Sequence, residues 1–202
     1  VQPLYADYSF GGLALAHNGN LTNARLLHKD LVNQGSLFQS TSDTEVFQHL
    51  IATSSGEHLL DRVVDTLREV EGAYSLIALS RRKLIGARDP VGVRPLTIGK
   101  LGESWIICSE TCALDIIGAK FIRDVEPGEI IIIDEDGLHS HKPFSQISKR
   151  PCIFEYIYFA RPDSNIDGHN VYEARKAIGA ELARESPVNA DIVIPVPDSG
   201  VP

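Results

Sequence analysis

Methionine is missing altogether and cysteine is scarce: the 202 residues include no Met and only Cys108, Cys112 and Cys152. So small and odd a number of thiols argues against a disulfide framework and for a reducing, cytoplasmic setting. Long apolar runs are absent too. The most apolar stretch, Ile130 to Ile133, is closed off by Glu129 and Asp134; it falls far short of the ~20 residues that cross a bilayer and reads as a buried strand. No basic stretch followed by an apolar one marks a secretory signal near Val1. Positive charge is in deficit, with 19 Lys and Arg against 27 Asp and Glu, a net charge of −8. That balance repels a phosphate backbone and argues against nucleic-acid binding. Its densest basic clusters, Arg81-Arg82-Lys83 and Lys149-Arg150, read as solvated turns. Hydrophobic residues, at 43%, are plentiful enough to bury a core, so the chain is not disordered.

Periodicity sets out the elements. Leu13 to Ala16 reads as a strand entering a tight turn at His17-Asn18-Gly19-Asn20, with Asn20 placed to cap a helix that ends at Gln34-Gly35. Ser42-Asp43-Thr44-Glu45 has the form of a capping box, and a helix follows with Val46, Phe47, Leu50 and Ile51 at helical spacing. A second helix runs from about Glu57 to Val70 with an apolar stripe. Strands are expected at Ala73–Leu79, Lys83–Ala87, Leu96–Gly99, Ser104–Cys108 and Glu129–Asp134. Many short strands after helices indicate a layered α/β protein with mostly antiparallel pairing. The polar stretch from Ser140 to Pro151 marks a domain boundary, dividing the chain into residues 1–150 and 151–202. Beyond it a strand at Phe154–Phe159, a helix at Asn170–Arg184 and a strand at Asp191–Val196 resemble the opening of a parallel α/β domain.

Individual residues admit two readings each. A strand ending in Asn18-Gly19 can aim a side-chain amide N–H and a backbone N–H at one point, forming an oxyanion hole in which one donor is worth roughly 2.7–4 kcal/mol. The same dipeptide is also the commonest hairpin turn. Asp43 can bind a cationic group, or simply complement a helix dipole. Arg88-Asp89-Pro90 and Arg94-Pro95 read as a turn held by charge pairs. Cys108 and Cys112 lack the spacing of a metal knuckle, and Cys108 reads as a small buried hydrophobe. A lone Cys152 cannot build an iron–sulfur site. Pro197-Asp198-Ser199-Gly200 is either a plain turn or an approach to phosphate or magnesium.

Together these segments resemble one family. Leu13 to Asn20, Ser42 to Glu45 and Gly72-Ala73-Tyr74-Ser75 are similar to the glutaminase domain of N-terminal-nucleophile amidotransferases, and Asp89-Pro90, Arg94-Pro95-Leu96, Ser109-Glu110-Thr111 and Glu126 to Glu129 continue the likeness. Phe154 to Ser164 and Pro195 to Ser199 resemble the amidophosphoribosyltransferases within it. The resemblance implies an N-terminal-nucleophile hydrolase αββα sandwich over residues 1–150, followed by the start of a phosphoribosyltransferase α/β domain. It implies transfer of glutamine-derived ammonia to phosphoribosyl pyrophosphate, the first step of purine biosynthesis. By the same resemblance, Asn18 and Gly19 match the oxyanion pair and Asp43 the acid that holds the glutamine α-ammonium. Ser199 matches a residue near Mg2+, and Cys152 the first of four ligands to a 4Fe-4S cluster found in some members. Purine nucleotides are implied as feedback inhibitors, a homo-oligomer (dimer or tetramer) as the assembly, and neither nucleic acid nor membrane as a partner.

The family's nucleophile is an N-terminal cysteine whose own α-amino group, titrating near ~8, serves as base. This sequence begins at Val1, so the resemblance places that cysteine before Val1 and the phosphate-binding loop after Pro202, leaving the chain as given inactive. Three other readings stay open: a different N-terminal-nucleophile amidotransferase, such as a hexosamine-forming enzyme, a non-catalytic sensor of phosphoribosyl pyrophosphate or nucleotide, or an interaction domain with no chemistry.

Overall fold

A computed structural model describes residues 1–145 and 147–202. In chain order the elements are β1 (Leu4–Tyr8), β2 (Gly11–Leu21), α1 (Ala24–Asn33), α2 (Asp43–Thr53), α3 (Leu59–Glu69), β3 (Gly72–Ser80) and β4 (Leu84–Arg88). Next come β5 (Thr97–Leu101), β6 (Ser104–Cys108), α4 (Thr111–Ile116), β7 (Lys120–Asp124), β8 (Ile130–Asp134) and β9 (Gly137–His141). A π-helical turn (Glu155–Phe159), β10 (Asn165–Ile166), β11 (His169–Asn170) and α5 (Val171–Glu185) complete the chain.

Two compact units emerge, one from Val1–Arg94 with Val125–Arg150 and the other from Pro95–Asp124 with Pro151–Pro202. The first is built on a six-stranded sheet in the order β1-β2-β3-β4-β8-β9, every neighbouring pair antiparallel. Alternation along the strands turns Leu13, Leu15 and Leu21 of β2, and Tyr74, Leu76 and Ala78 of β3, to one face. There they bury against Leu27 and Leu31 of α1, Val46, Phe47 and Ile51 of α2, and Val63, Val64 and Leu67 of α3. Fully burying one such aliphatic side chain is worth about 1.5–3 kcal/mol, so this layer holds the sheet and its helices as one body.

The second unit holds a three-stranded antiparallel sheet, β6-β5-β7, with α4 beside it. Its hub is Glu110, just before α4. One carboxylate oxygen, Oε2, accepts from the Arg161 N–H at 2.8 Å and from the Ser164 hydroxyl at 2.8 Å. The Thr111 hydroxyl accepts from the Asn165 N–H at 2.8 Å. These bonds fasten the Phe154–Ser164 segment to the sheet region.

Several expectations change. His17-Asn18-Gly19-Asn20 is not a turn: it continues β2, paired in register with Leu76-Ser75-Tyr74-Ala73 of β3. A partner strand more than fifty residues away overrides the local turn preference of Asn-Gly. Asn20 therefore cannot cap α1. The residue before that helix is Asn23, whose side chain instead donates to the Glu69 carbonyl and accepts from the Glu71 N–H. Phe154–Phe159 is not a strand but a helical turn over Glu155–Phe159. The buried guanidinium of Arg175 holds it by donating to the carbonyls of Tyr156 and Ala160. Asp191–Val196 forms no strand either. Among the described residues no strand pairs with it, and Val193 stands 88% exposed. By contrast the α5 helix, capped by Asn170 accepting from the Glu173 N–H, lies where its periodicity placed it.

Candidate active site

The second half of β2 is paired on only one edge. Strand β1 reaches Leu15 and no further, its first pair being Leu4 with Leu15, while β3 accompanies β2 out to Leu21. On the β1 side the chain is completed by side chains. The Gln2 amide binds His17 at both backbone groups, accepting from its N–H and donating to its carbonyl, the latter at 2.9 Å. Four residues on, the Leu21 N–H donates to Asp43 Oδ2 at 3.0 Å. In an antiparallel strand the N–H and C=O of alternate residues face the same edge. Gly19, between His17 and Leu21, therefore presents its backbone to that edge.

Glycine is required at position 19. Its φ of 151° is one that side chains avoid, and a Cβ there would sit 2.0 Å from the Ala73 carbonyl oxygen and 2.9 Å from His17 Nε2. Close passage of β3 therefore leaves no room for a side chain.

Asp43 opens α2. The Ser42 hydroxyl caps this helix by accepting from the Thr44 N–H at 3.3 Å. Glu45 does not close the expected box. Its carboxylate reaches further back, to the N–H groups of Gln39 and Ser40 and the Ser40 hydroxyl, at 2.6–2.8 Å. Burial raises the Glu45 pKa, but the hydrogen bonds from Ser40 and Gln39 outweigh it and leave the carboxyl below its ordinary value. The loop before Asp43 is thus tied to a charged group on the helix. Asp43 and Phe47, one turn apart, flank the imidazole of His17. Asp43 Oδ1 lies 3.5 Å from Nδ1, and the Phe47 ring stands edge-on with centroids 5.1 Å apart. Burial lowers the His17 pKa, offset in part by Asp43. Nε2 is buried, and the backbone of Ala73 on the neighbouring strand also partly offsets the downward shift.

Asn18 points away from the helices by the same alternation. Its Oδ1 accepts from Arg94 Nη2 at 2.6 Å. Arg94 is in turn fixed through its backbone. Its N–H donates to Asp89 Oδ2 at 3.2 Å, and its carbonyl accepts from Arg88 Nε at 2.8 Å. Asp89, fully buried, also accepts from the N–H groups of Val91 and Val93. The Arg88 guanidinium, likewise buried, donates to the carbonyls of Gly92 and Val125. The Arg88–Arg94 turn is thus held by charged side chains bound to backbone groups.

Asp43 lines a cavity of about 410 Å3 with Arg25, His28 and Ser42; Asn18 and Gly19 are not among its walls. The structure therefore joins Asp43 to His17 and Leu21, on either side of Gly19 along the same strand edge, and joins Asn18 to Arg94. Sequence reasoning passed over Gln2, and read His17 and Arg94 only as members of turns. The one available signal was a histidine directly before Asn-Gly in an apolar strand.

All three cysteines belong to the second unit. Burial raises the pKa of both Cys108 and Cys112, which makes them poor thiolates. Cys108 is half-buried, bonded to Thr97 and Glu110, so the buried member is Cys112. Cys152 lies just before the π-helical turn, and Ser199 follows Asp198 in the turn after Val196. Among the described residues no group of three or more His, Cys, Asp or Glu side chains could hold a metal ion. This chain's own residues therefore do not fit an iron–sulfur cluster, for which four thiolates are usual. No helix among the described residues is long and apolar enough to cross a membrane.

Helices packed on an antiparallel sheet, with a second small sheet, make this a mixed α/β protein of the N-terminal-nucleophile hydrolase glutamine-amidotransferase fold. It superimposes with a TM-score of 0.95 on a solved structure described as glutamine phosphoribosylpyrophosphate (PRPP) amidotransferase from B. subtilis complexed with ADP and GMP. The two are 50% identical, over 100% of this chain and 44% of that one. The family described as glutamine amidotransferase domain matches residues 1–115, and the chain belongs to that family. It is 56% identical to the amidophosphoribosyltransferase of Rhizobium etli, over 100% of this chain and 42% of the relative. The chloroplastic enzyme of the same name from Glycine max is 51% identical over 100% of this chain and 36% of its own length. The chain thus spans about two-fifths of the length of these relatives.

Proposed function

We propose that this chain supplies the glutamine-handling part of an amidophosphoribosyltransferase, with residues 1–150 as its glutaminase portion and 151–202 as the start of its phosphoribosyltransferase portion. In that reading, glutamine is cleaved to glutamate and ammonia. The ammonia then displaces pyrophosphate from C1 of phosphoribosyl pyrophosphate to give phosphoribosylamine. The carrying observation is the edge of β2, where the Gly19 backbone lies between His17, held by Gln2, and Leu21, held by Asp43. Supporting it, the named relatives are amidophosphoribosyltransferases at 51–56% identity, a likeness that disfavours a hexosamine-forming enzyme.

The substrate's α-ammonium meets the Asp43 carboxylate, and the scissile carbonyl turns its developing oxyanion toward the Gly19 N–H and the Asn18 amide. Such donors act where charge develops and so lower the barrier rather than tighten binding. Any cysteine nucleophile is distinct from Cys108 and Cys112, whose pKa values burial raises, making them poor thiolates. Magnesium takes few protein ligands and fills its shell with phosphate oxygens and water. Ser199 and the neighbouring Asp198 carboxylate fit that sparse role, and the bound ion would neutralise charge on the departing pyrophosphate. Cys152 would join a 4Fe-4S cluster only with thiolates from outside this chain. Purine nucleotides as feedback inhibitors, a dimeric or tetrameric assembly and a cytoplasmic setting complete the reading. The nucleotides have a counterpart in the ADP and GMP of the B. subtilis structure.

The test is Asn18→Ala in the complete enzyme. Glutamine-dependent product formation should fall by ~100-fold or more, the usual cost of one oxyanion donor, while ammonia-dependent formation holds. Equal loss with both nitrogen donors would refute the assignment.

A further inference from the structure

A side-chain amide is useful in an oxyanion hole only if its nitrogen, not its oxygen, faces the substrate. Isolated, the Asn18 amide has no reason to prefer one orientation, because its two ends are nearly the same in size. The contact at Arg94 breaks that symmetry. A guanidinium carries donors and no acceptor, so it can face only the carbonyl end of the amide. With Arg94 Nη2 at 2.6 Å from Asn18 Oδ1, turning the amide over would set N–H against N–H. We propose that Arg94 is the positioning residue of the glutamine site, fixing the Asn18 amide so that its N–H2 group is the end presented for the oxyanion.

The surroundings of Arg94 hold it in place at this contact. Its backbone is clamped at both ends, the N–H by Asp89 and the carbonyl by the Arg88 guanidinium. Asp89 and Arg88 are themselves buried and bound to further backbone groups of the same turn. A turn that only reverses the chain does not require two buried charges; one that must hold a guanidinium against a strand 76 residues away does. A second consequence is charge. Arg94 leaves positive potential behind the amide, and the substrate-facing N–H is polarised toward an anion.

This inference rests on the oxyanion reading of Asn18, and the experiment separates the two. In the complete enzyme, Arg94→Gln and Arg94→Lys are compared with Asn18→Ala and with the Asn18→Ala/Arg94→Gln double variant. Glutamine- and ammonia-dependent kcat and KM are read for each, with Tm as a folding check. Lysine is again donor-only and keeps the amide the right way round, whereas glutamine can accept as well as donate and lets it turn over. Expected for Arg94→Gln is a 10- to 100-fold loss of glutamine-dependent kcat, with KM for glutamine changed less than about threefold and ammonia-dependent activity kept. Arg94→Lys should recover most of that loss. Adding Arg94→Gln to Asn18→Ala should cost less than threefold further, because the residue it acts through is gone. Equal losses in the Gln and Lys variants, a rise in KM at constant kcat, or additive losses in the double variant overturn the proposal. Should Arg94→Gln fail to fold, Arg94→Lys in wild-type and Asn18→Ala backgrounds decides by the same additivity. If Asn18→Ala itself spares glutamine use, the oxyanion reading fails; if it abolishes glutamine use while Arg94→Gln does nothing, only the present inference fails.

Discussion

Asp43 Oδ1 and His17 Nδ1 lie 3.5 Å apart, the carboxylate partly exposed at a helix start and the imidazole buried under Phe47. This pair ties the sheet to α2 at the point where the candidate site begins, and it has a pH signature.

Because burial lowers the His17 pKa below its ordinary value near 6.5, the unfolded chain binds more protons than the folded one between those two values. Stability should therefore be full above the ordinary value and decline as pH falls toward the folded-state pKa. Chemical denaturation of the complete enzyme at stepped pH from 7.5 to 5 measures it. His17→Phe, which retains the ring packing and removes the titration, should flatten the slope in that window; an unchanged slope would show that His17 is not its source.

Asp43→Asn should act mainly on substrate capture. On the proposed reading the carboxylate meets the substrate α-ammonium, whose charge is the same in ground and transition states, so its loss should raise KM for glutamine, by ~10-fold or more, with a smaller effect on kcat. Steady-state kinetics with varied glutamine separates the two. The Leu21 N–H can still donate to the amide oxygen of Asn, so the local structure persists.

Gly19→Ala should destabilise by more than ~1 kcal/mol, the scale for alanine placed where φ is positive, and more still because its Cβ would meet the Ala73 carbonyl at 2.0 Å. Thermal melting checks this. Ala at Gly118, where φ is also positive but nothing lies within 4 Å of a Cβ, should cost less.

Glu45→Gln should loosen the 39–42 loop and alter the acid limb of stability. The folded-state pKa of Glu45 lies below its ordinary value, so its contribution is present above the unfolded pKa and vanishes as pH falls through the folded one. The variant should lose stability at pH 7 and show a shallower decline between pH 5 and 3 than the wild type.

How much of this was legible depended on range. The strand at Ala73–Leu79 and the helix after Ser42 were readable because periodicity and capping chemistry are local. The strand at Ile130–Ile133 was readable from its apolar run. His17–Asn20 was misread as a turn because its structure is dictated by β3, which no local pattern reveals. Tyr156 and its aromatic neighbours have strand propensity, yet without a partner strand they coil around the Arg175 guanidinium. Val193 and Ile194 have it too, yet among the described residues no strand pairs with them and both stand exposed. At the site, Asn18, Gly19 and Asp43 were marked by family resemblance. The contacts of Arg94 with Asn18 and of Gln2 with His17 were invisible because they join residues 76 and 15 positions apart.

The alternation of β2 has a last implication. Leu13, Leu15 and Leu21 lock the strand's phase against the helices, and a slip of one residue would expose all three to water while turning Asn18 inward. The orientation of the amide is thus underwritten by grease rather than by polar contacts alone. Enlarging or trimming those leucines should degrade chemical fidelity before it unfolds the protein.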